Sequence, residues 1–191
     1  MNLPNKLTIL RVILTFVFLI FIFPKGLVYK IIALLIFSIA ALTDFYDGYI
    51  ARRENMVTNF GKIMDPIADK LLILGAFLAF VQLQVVSAWM VILIISREII
   101  ITGLRLFAIT KGKILAAEKG GKHKTVSQMV AIFLILGYLI FKAAMVQFSA
   151  WTENFEFWCG LGIFILMSTT VVLTLISGLS YLWRNRKLVY D

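Results

Sequence analysis

Six stretches of this chain are apolar over at least about 17 residues, the short end of what a helix needs to cross a bilayer. They lie near Leu7–Phe23, Leu27–Ile50, Ile67–Val86, Trp89–Ile109, Val126–Val146 and Phe157–Trp183. Pro24-Lys25-Gly26 punctuates the first pair as a turn, and Gln82–Ser87 is a weaker break between the third and fourth. The pattern predicts an all-α integral membrane protein, a single domain over residues 1–191 built as a bundle of six transmembrane helices. With 61% hydrophobic residues and a mean hydropathy of +0.96, the chain falls well outside the range of soluble domains. The amino-terminal apolar run has no small-residue cleavage site after it and is expected to be a retained helix rather than a signal peptide. No stretch is left over for a soluble domain.

The charge of +9 does not point to nucleic acid, because the basic residues are not interleaved with an aromatic platform of the kind that stacks bases. Their placement along the chain explains them. With six spans both termini share a side, and of the nineteen Lys and Arg residues only Lys25, Lys30 and Lys142 fall on the other. The positive-inside rule makes the rich side cytoplasmic. The expected location is the cell membrane, multi-pass, with both termini cytoplasmic. Within the long polar stretch Thr110 to Lys124, Lys111, Lys113 and Lys119 are then expected against anionic headgroups, each contributing about 1 kcal/mol. The single cysteine, Cys159, excludes an intrachain disulfide, and the single histidine, His123, sits between two lysines and reads as solvated.

Four of the ten acidic residues break into this apolar background: Asp44, Asp47, Asp65 and Asp69. An ionisable group flanked by membrane-length apolar sequence is costly and marks function by default. On a helix, Asp44 and Asp47 at three-residue spacing share a face, as do Asp65 and Asp69 at four. Two such faces turned toward each other gather four negative charges, which demand cations. Mg²⁺ or Mn²⁺ fits best, since hard divalent ions take carboxylate oxygens and Mg²⁺ also recruits substrate phosphates.

The full spacing, D-x2-D-G-x2-A-R-x8-G-x3-D-x3-D, is carried by Asp44, Asp47, Gly48, Ala51, Arg52, Gly61, Asp65 and Asp69. It resembles the signature of the CDP-alcohol phosphatidyltransferase family at every fixed position. Asn5-Lys-Leu-Thr8-Ile-Leu-Arg11, Ser96-Arg97-Glu98 through Arg105, and Gly121-Lys122-His123-Lys124-Thr125 are similar to the phosphatidylglycerophosphate synthase branch. The resemblance implies a polar active-site cavity at the cytoplasmic side and two divalent cations on the four aspartates, with Asp69 also the general base toward an acceptor hydroxyl. It implies CDP-diacylglycerol and sn-glycerol 3-phosphate as substrates, beside membrane lipids. It leaves a homodimer open.

Within that resemblance Gly48 and Ala51 lack the bulk that would keep a flat cytidine or a diphosphate from the helix backbone, and Gly61, expected in the connection between helices two and three, makes room for the nucleotide. Arg52 supplies a planar fork suited to phosphate. Thr8 and Arg11 belong to the same cytoplasmic half and are candidates for nucleotide or acceptor contact. Arg97, Arg105, Lys122, Lys124 and Thr125 are candidates for the acceptor phosphate, because a buried arginine needs a counter-ion and Glu98 alone cannot serve two. The competing account pairs Arg97 or Arg105 with Glu98 or a motif aspartate.

Other acceptors, such as inositol phosphate, serine or phosphatidylglycerol, stand as alternatives. From another class, so does a divalent-cation transporter, since carboxylates inside a bundle also line ion paths. A transporter is expected to show internal repeats, and this sequence has none.

Overall fold

The computed structural model describes residues 3–54, 59–111, 119–148 and 151–186; for residues 3–5, 44–54, 59–66, 69, 106, 109–110 and 119–123 the backbone alone is described. Among the described residues six helices follow in chain order: α1 Leu3–Ile22, α2 Leu27–Glu54, α3 Asn59–Gln82, α4 Ala88–Thr110, α5 Lys119–Gln147 and α6 Glu153–Arg184. The described residues contain no strand.

The helix number matches the number of apolar runs, but the helices are longer than the runs. α2 continues past Ile50 to Glu54, α3 starts at Asn59 rather than Ile67, and α5 starts at Lys119 rather than Val126. Hydropathy registers which residues leave water, whereas the backbone ladder continues through polar residues and also through Pro66 in α3 and Gly120-Gly121 in α5. At α1, Pro4 is accommodated in the first turn, where the missing N–H has no intrahelical partner to lose.

The connections are closed by identifiable contacts. Gly26 has φ +121°, a left-handed conformation that costs glycine nothing. Just after it, the buried Lys30 ammonium donates to the Ile22 carbonyl at the end of α1. After α3, Gln84 takes φ 58°, and the amides of Val85 and Val86 return to the Phe80 carbonyl at 2.9 and 3.3 Å, satisfying a helix end that would otherwise be orphaned. Thr152 caps α6 by accepting from the Phe155 amide at 3.4 Å. Glu153 and Glu156 stand in its first turn and Arg184 in its last, each sign matching the helix dipole. Glu156 also pairs with Lys142 and accepts from Trp151 Nε1 at 3.2 Å, tying the end of α5 to the start of α6.

α1 packs against both α2 and α3, α2 also meets α5, and α6 packs on α4 and α5. Phe18, Phe37, Phe77, Phe80, Ile94 and Met167 fill the core. Phe37 meets Phe18 at 5.5 Å and Phe133 edge-on at 5.4 Å, the offset and edge geometries aromatic rings prefer. Buried Ala33, Ala40, Ala76 and Ala79 let helix backbones approach closely.

The surface is the reverse of a soluble protein's. Phe16, Ile20, Leu35, Ile92, Ile99, Phe157, Trp158, Ile165, Leu179 and Trp183 are all exposed, while Thr8, Arg11, Lys30, Glu98, Lys124, Gln128 and Thr174 are buried. Apolar surface on this scale belongs against lipid. Two segments, Lys124–Gln147 of α5 and Glu153–Arg184 of α6, are by themselves long and apolar enough to cross a membrane.

Candidate active site

The aspartate motif is divided between the last turns of α2 and the first turns of α3. Asp44 stands ten residues before the end of α2 and Asp69 ten residues after the start of α3, while Asp47 stands seven before and Asp65 six after. At 1.5 Å per residue, these are levels about 15 Å and about 10 Å from the helix ends, with only four residues of sequence joining those ends. Asp44 and Asp69 thus stand equally far along the backbone from the ends of their helices, and Asp47 and Asp65 nearly so. The side chains of Asp44, Asp47, Arg52, Asp65, Asp69 and Lys122 lie outside the described residues, as do those of the motif's Gly48, Ala51 and Gly61 positions. Among the residues with described side chains there is no cluster of three or more His, Cys, Asp or Glu.

The backbone corrects one expectation. Gly61 is not in the connection but is the third residue of α3. The helix begins ahead of the apolar run, at Asn59, so Gly61 lies on the same helix as Asp65 and Asp69.

α1 packs against both helices that carry the motif, α2 and α3. Thr8 and Arg11 are each 1% exposed, and Thr15 donates to the Arg11 carbonyl at 2.9 Å. A guanidinium buried this completely in an apolar bundle is tolerable only beside groups that answer its charge. Both residues are therefore interior positions of α1.

Beside the acidic motif lies a basic cluster built from four helices. Lys70, the residue after Asp69 on α3, donates to Thr102 on α4. Lys124 on α5 is hydrogen-bonded to Oε1 of Glu98 on α4, and the same oxygen takes Arg97 Nη1 at 3.3 Å. Two cations thus share one carboxylate oxygen, with all three side chains at most 10% exposed. Arg97 Nη2 donates to Ser177 on α6 at 3.0 Å. Lys70, Glu98, Lys124, Thr125 and Gln128 line a cavity of about 30 Å³, enough for a water molecule among polar partners. Arg105 is more exposed; its Nε donates to the Tyr181 hydroxyl at 3.3 Å, and its guanidinium stands 5.3 Å from that ring's centroid.

The structure therefore brings Arg97, Lys124 and Thr125 to one place, with Glu98 as shared counter-ion, and sets Arg105 beside Tyr181 on α6. Of the basic residues assigned by sequence to headgroup contact, Lys111 packs over the Phe107 ring at 5.0 Å and Lys113 lies outside the described residues.

Sequence reasoning missed the contribution of α6. Thr170, Thr174, Ser177 and Tyr181 are buried and recur at spacings of four, three and four, one face of a helix. A polar stripe at that spacing inside an apolar run was the available signal. Gln128 on α5 meets it at Thr174, 3.5 Å away.

Residues 1–176 match the family model described as CDP-alcohol phosphatidyltransferase. The chain is 39% identical over 197 residues to the CDP-diacylglycerol–glycerol-3-phosphate 3-phosphatidyltransferase of Bacillus subtilis (strain 168), covering 96% of this chain and 95% of that protein. It is 36% identical over 186 residues to a probable phosphatidylglycerophosphate synthase of Mycobacterium tuberculosis (strain ATCC 25618 / H37Rv), with 96% and 81% covered. It is 44% identical over 138 residues to the CDP-diacylglycerol–glycerol-3-phosphate 3-phosphatidyltransferase of Rickettsia felis (strain ATCC VR-1525 / URRWXCal2), with 71% and 76% covered.

Proposed function

The chain belongs to the CDP-alcohol phosphatidyltransferase family, and from that premise we propose that it transfers the phosphatidyl group of CDP-diacylglycerol to sn-glycerol 3-phosphate, releasing CMP. The observation that carries the choice of a phosphorylated acceptor is the adjacency of the two charge clusters. The acidic motif ends at Asp69, and the buried basic cluster begins at the next residue, Lys70, and continues through Arg97 and Lys124.

Asp44, Asp47, Asp65 and Asp69 would hold two divalent cations, Mg²⁺ or Mn²⁺. When bound, such cations neutralise the diphosphate and stabilise the attacking and leaving oxygens of a displacement at phosphorus. The chain's own residues do the rest, because phosphoryl transfer is catalysed largely by positioning and charge. Arg52 engages phosphate, with Thr8 and Arg11 toward the nucleotide. Gly48, Ala51 and Gly61 leave space for cytidine and diphosphate against the helix backbones. Asp69 takes the proton of the acceptor hydroxyl as its oxygen bonds to the phosphatidyl phosphorus, and the bond from that phosphorus to CMP breaks. Arg97, Lys122, Lys124 and Thr125, with Arg105 nearer the exterior, hold the acceptor's phosphate.

In this reading all six helices span the membrane as one catalytic domain, with both termini and the site at the cytoplasmic side. Supporting this are the asymmetry of Lys and Arg along the sequence and the apolar exterior of the described residues. Polar groups at depth then line an interior cavity, the setting in which a bilayer tolerates them. The deciding experiment measures CMP release by the purified enzyme from CDP-diacylglycerol with glycerol 3-phosphate, inositol phosphate, serine or phosphatidylglycerol offered singly. Release with glycerol 3-phosphate alone is expected, and preference for any of the other three would overturn the acceptor assignment.

A further inference from the structure

Gly178 is the one glycine with a described environment at which an added Cβ would collide with another helix. The three nearest atoms to such a Cβ all belong to Arg97 of α4: Cγ at 2.8 Å, Nε at 3.3 Å and Cδ at 3.6 Å. At Gly103, Gly137, Gly160 and Gly162 a Cβ would meet nothing within 4 Å. Arg97 therefore crosses α6 through a notch of bare backbone. Beyond the notch its guanidinium is held from two sides, by Ser177 of α6 through Nη2 and by Glu98 of its own helix through Nη1.

These contacts use one N–H on each terminal nitrogen, and Nε has no hydrogen-bond partner among the described residues. A guanidinium carries five N–H donors in a rigid fork. Nε is enclosed against the notch, and Arg97 is thus fixed in direction while keeping one N–H on each terminal nitrogen for an anion. Fixing matters because a bidentate arginine–phosphate contact depends on the orientation of the fork.

We propose that Gly178 and Ser177 form a seat on α6 that orients Arg97 toward the acceptor phosphate, which makes Gly178 a positioning residue of the transfer reaction. The inference rests on the reading of Arg97 as an acceptor contact. Neither seat residue falls within the 1–176 stretch matched by the family model. The atom closest to the absent Cβ is Cγ, near the root of the side chain rather than at its flexible end. A methyl group at position 178 therefore displaces the whole arginine, and both of its described bonds go with it.

The test is a set of acceptor titrations with purified enzyme in detergent, CDP-diacylglycerol and divalent cation being saturating. Gly178→Ala is expected to raise the glycerol 3-phosphate KM about tenfold, and Ser177→Ala, which adds no bulk, about threefold, with the CDP-diacylglycerol KM unchanged in both. In an Arg97→Ala background Gly178→Ala should add nothing, because the seat acts only through that side chain; a general packing defect would instead add to it. If Arg97→Ala leaves the acceptor KM unaltered, the reading of Arg97 fails and the inference with it. If Arg97→Ala raises the KM but neither seat variant does, or Gly178→Ala keeps its full effect without Arg97, the seat alone is overturned. Should Gly178→Ala not yield folded enzyme, Ser177→Ala decides by the same measurement.

Discussion

Glu98 of α4 and Lys124 of α5 stand 26 residues apart in sequence and meet as a hydrogen-bonded ion pair inside the bundle, both side chains less than 10% exposed. Arg97 reaches the same carboxylate oxygen, so one acid answers two cations. Removing the acid leaves both cations buried without it, a loss that typically costs about 3–5 kcal/mol. Glu98→Gln should accordingly lower the thermal midpoint in detergent substantially, and Glu98→Gln with Lys124→Met should recover part of the loss. A midpoint equal to wild type in Glu98→Gln would show that the pair does not carry this load.

The role proposed for Asp44, Asp47, Asp65 and Asp69 makes the reaction dependent on metal. Carboxylates that converge on one site are mutually destabilising until cations are present. Excess chelator should abolish CMP release, and Mg²⁺ or Mn²⁺ should restore it. Full turnover in chelator, with no metal detected in the protein, would remove the cation-bridged mechanism.

Asp69 is distinguished from the other three by its assignment as proton acceptor. Asp69→Asn should lose at least about a hundredfold in turnover, the lower range of general-base contributions, with a smaller loss of CDP-diacylglycerol binding. Asp44→Asn should weaken metal and nucleotide binding together. Near-normal turnover in Asp69→Asn would take the base role away from it.

What the sequence made legible follows physical range. Six apolar runs marked six helices because transfer out of water is a local property of each run. The helix ends were hidden because polar residues such as Asn59, Gly61 and Lys119 extend a helix without any change in hydropathy that announces it. The aspartate motif was readable from spacing alone. The seat on α6 was not, since Arg97 and Ser177 are 80 residues apart and only the packing of α4 on α6 joins them. Within the run Phe157–Trp183, Ser177 and Gly178 read as ordinary small residues of a membrane helix.

Lys30 carries a prediction about stability alone. Its buried ammonium donates to the Ile22 carbonyl across the turn at Gly26, fixing how α1 returns into α2. Lys30→Met keeps most of the side-chain volume and removes the donor. A charge-assisted bond of this kind contributes about 1.5–3 kcal/mol, so the variant should unfold at lower denaturant while both substrate KM values stay near wild type. Unchanged unfolding would mean that the carbonyl is equally well served without the lysine.

Arg97 and Lys124 already have a counter-ion in Glu98, so their charges do not by themselves require a substrate anion. What favours acceptor binding is the surplus: two cations on one carboxylate oxygen leave positive charge that a phosphate dianion neutralises. Each charge-assisted contact to that phosphate is worth about 1.5–3 kcal/mol. Alanine at Arg97, Arg105, Lys122 or Lys124 should therefore raise the glycerol 3-phosphate KM roughly ten- to a hundredfold, with CDP-diacylglycerol affinity nearly unchanged. Lys111→Ala, whose ammonium packs over Phe107, should change neither. If alanine at all four positions left the acceptor KM unaltered, Glu98 would be their sufficient partner and the cluster a structural one. The transferase chemistry would then rest on the aspartate motif, with the acceptor recognised elsewhere.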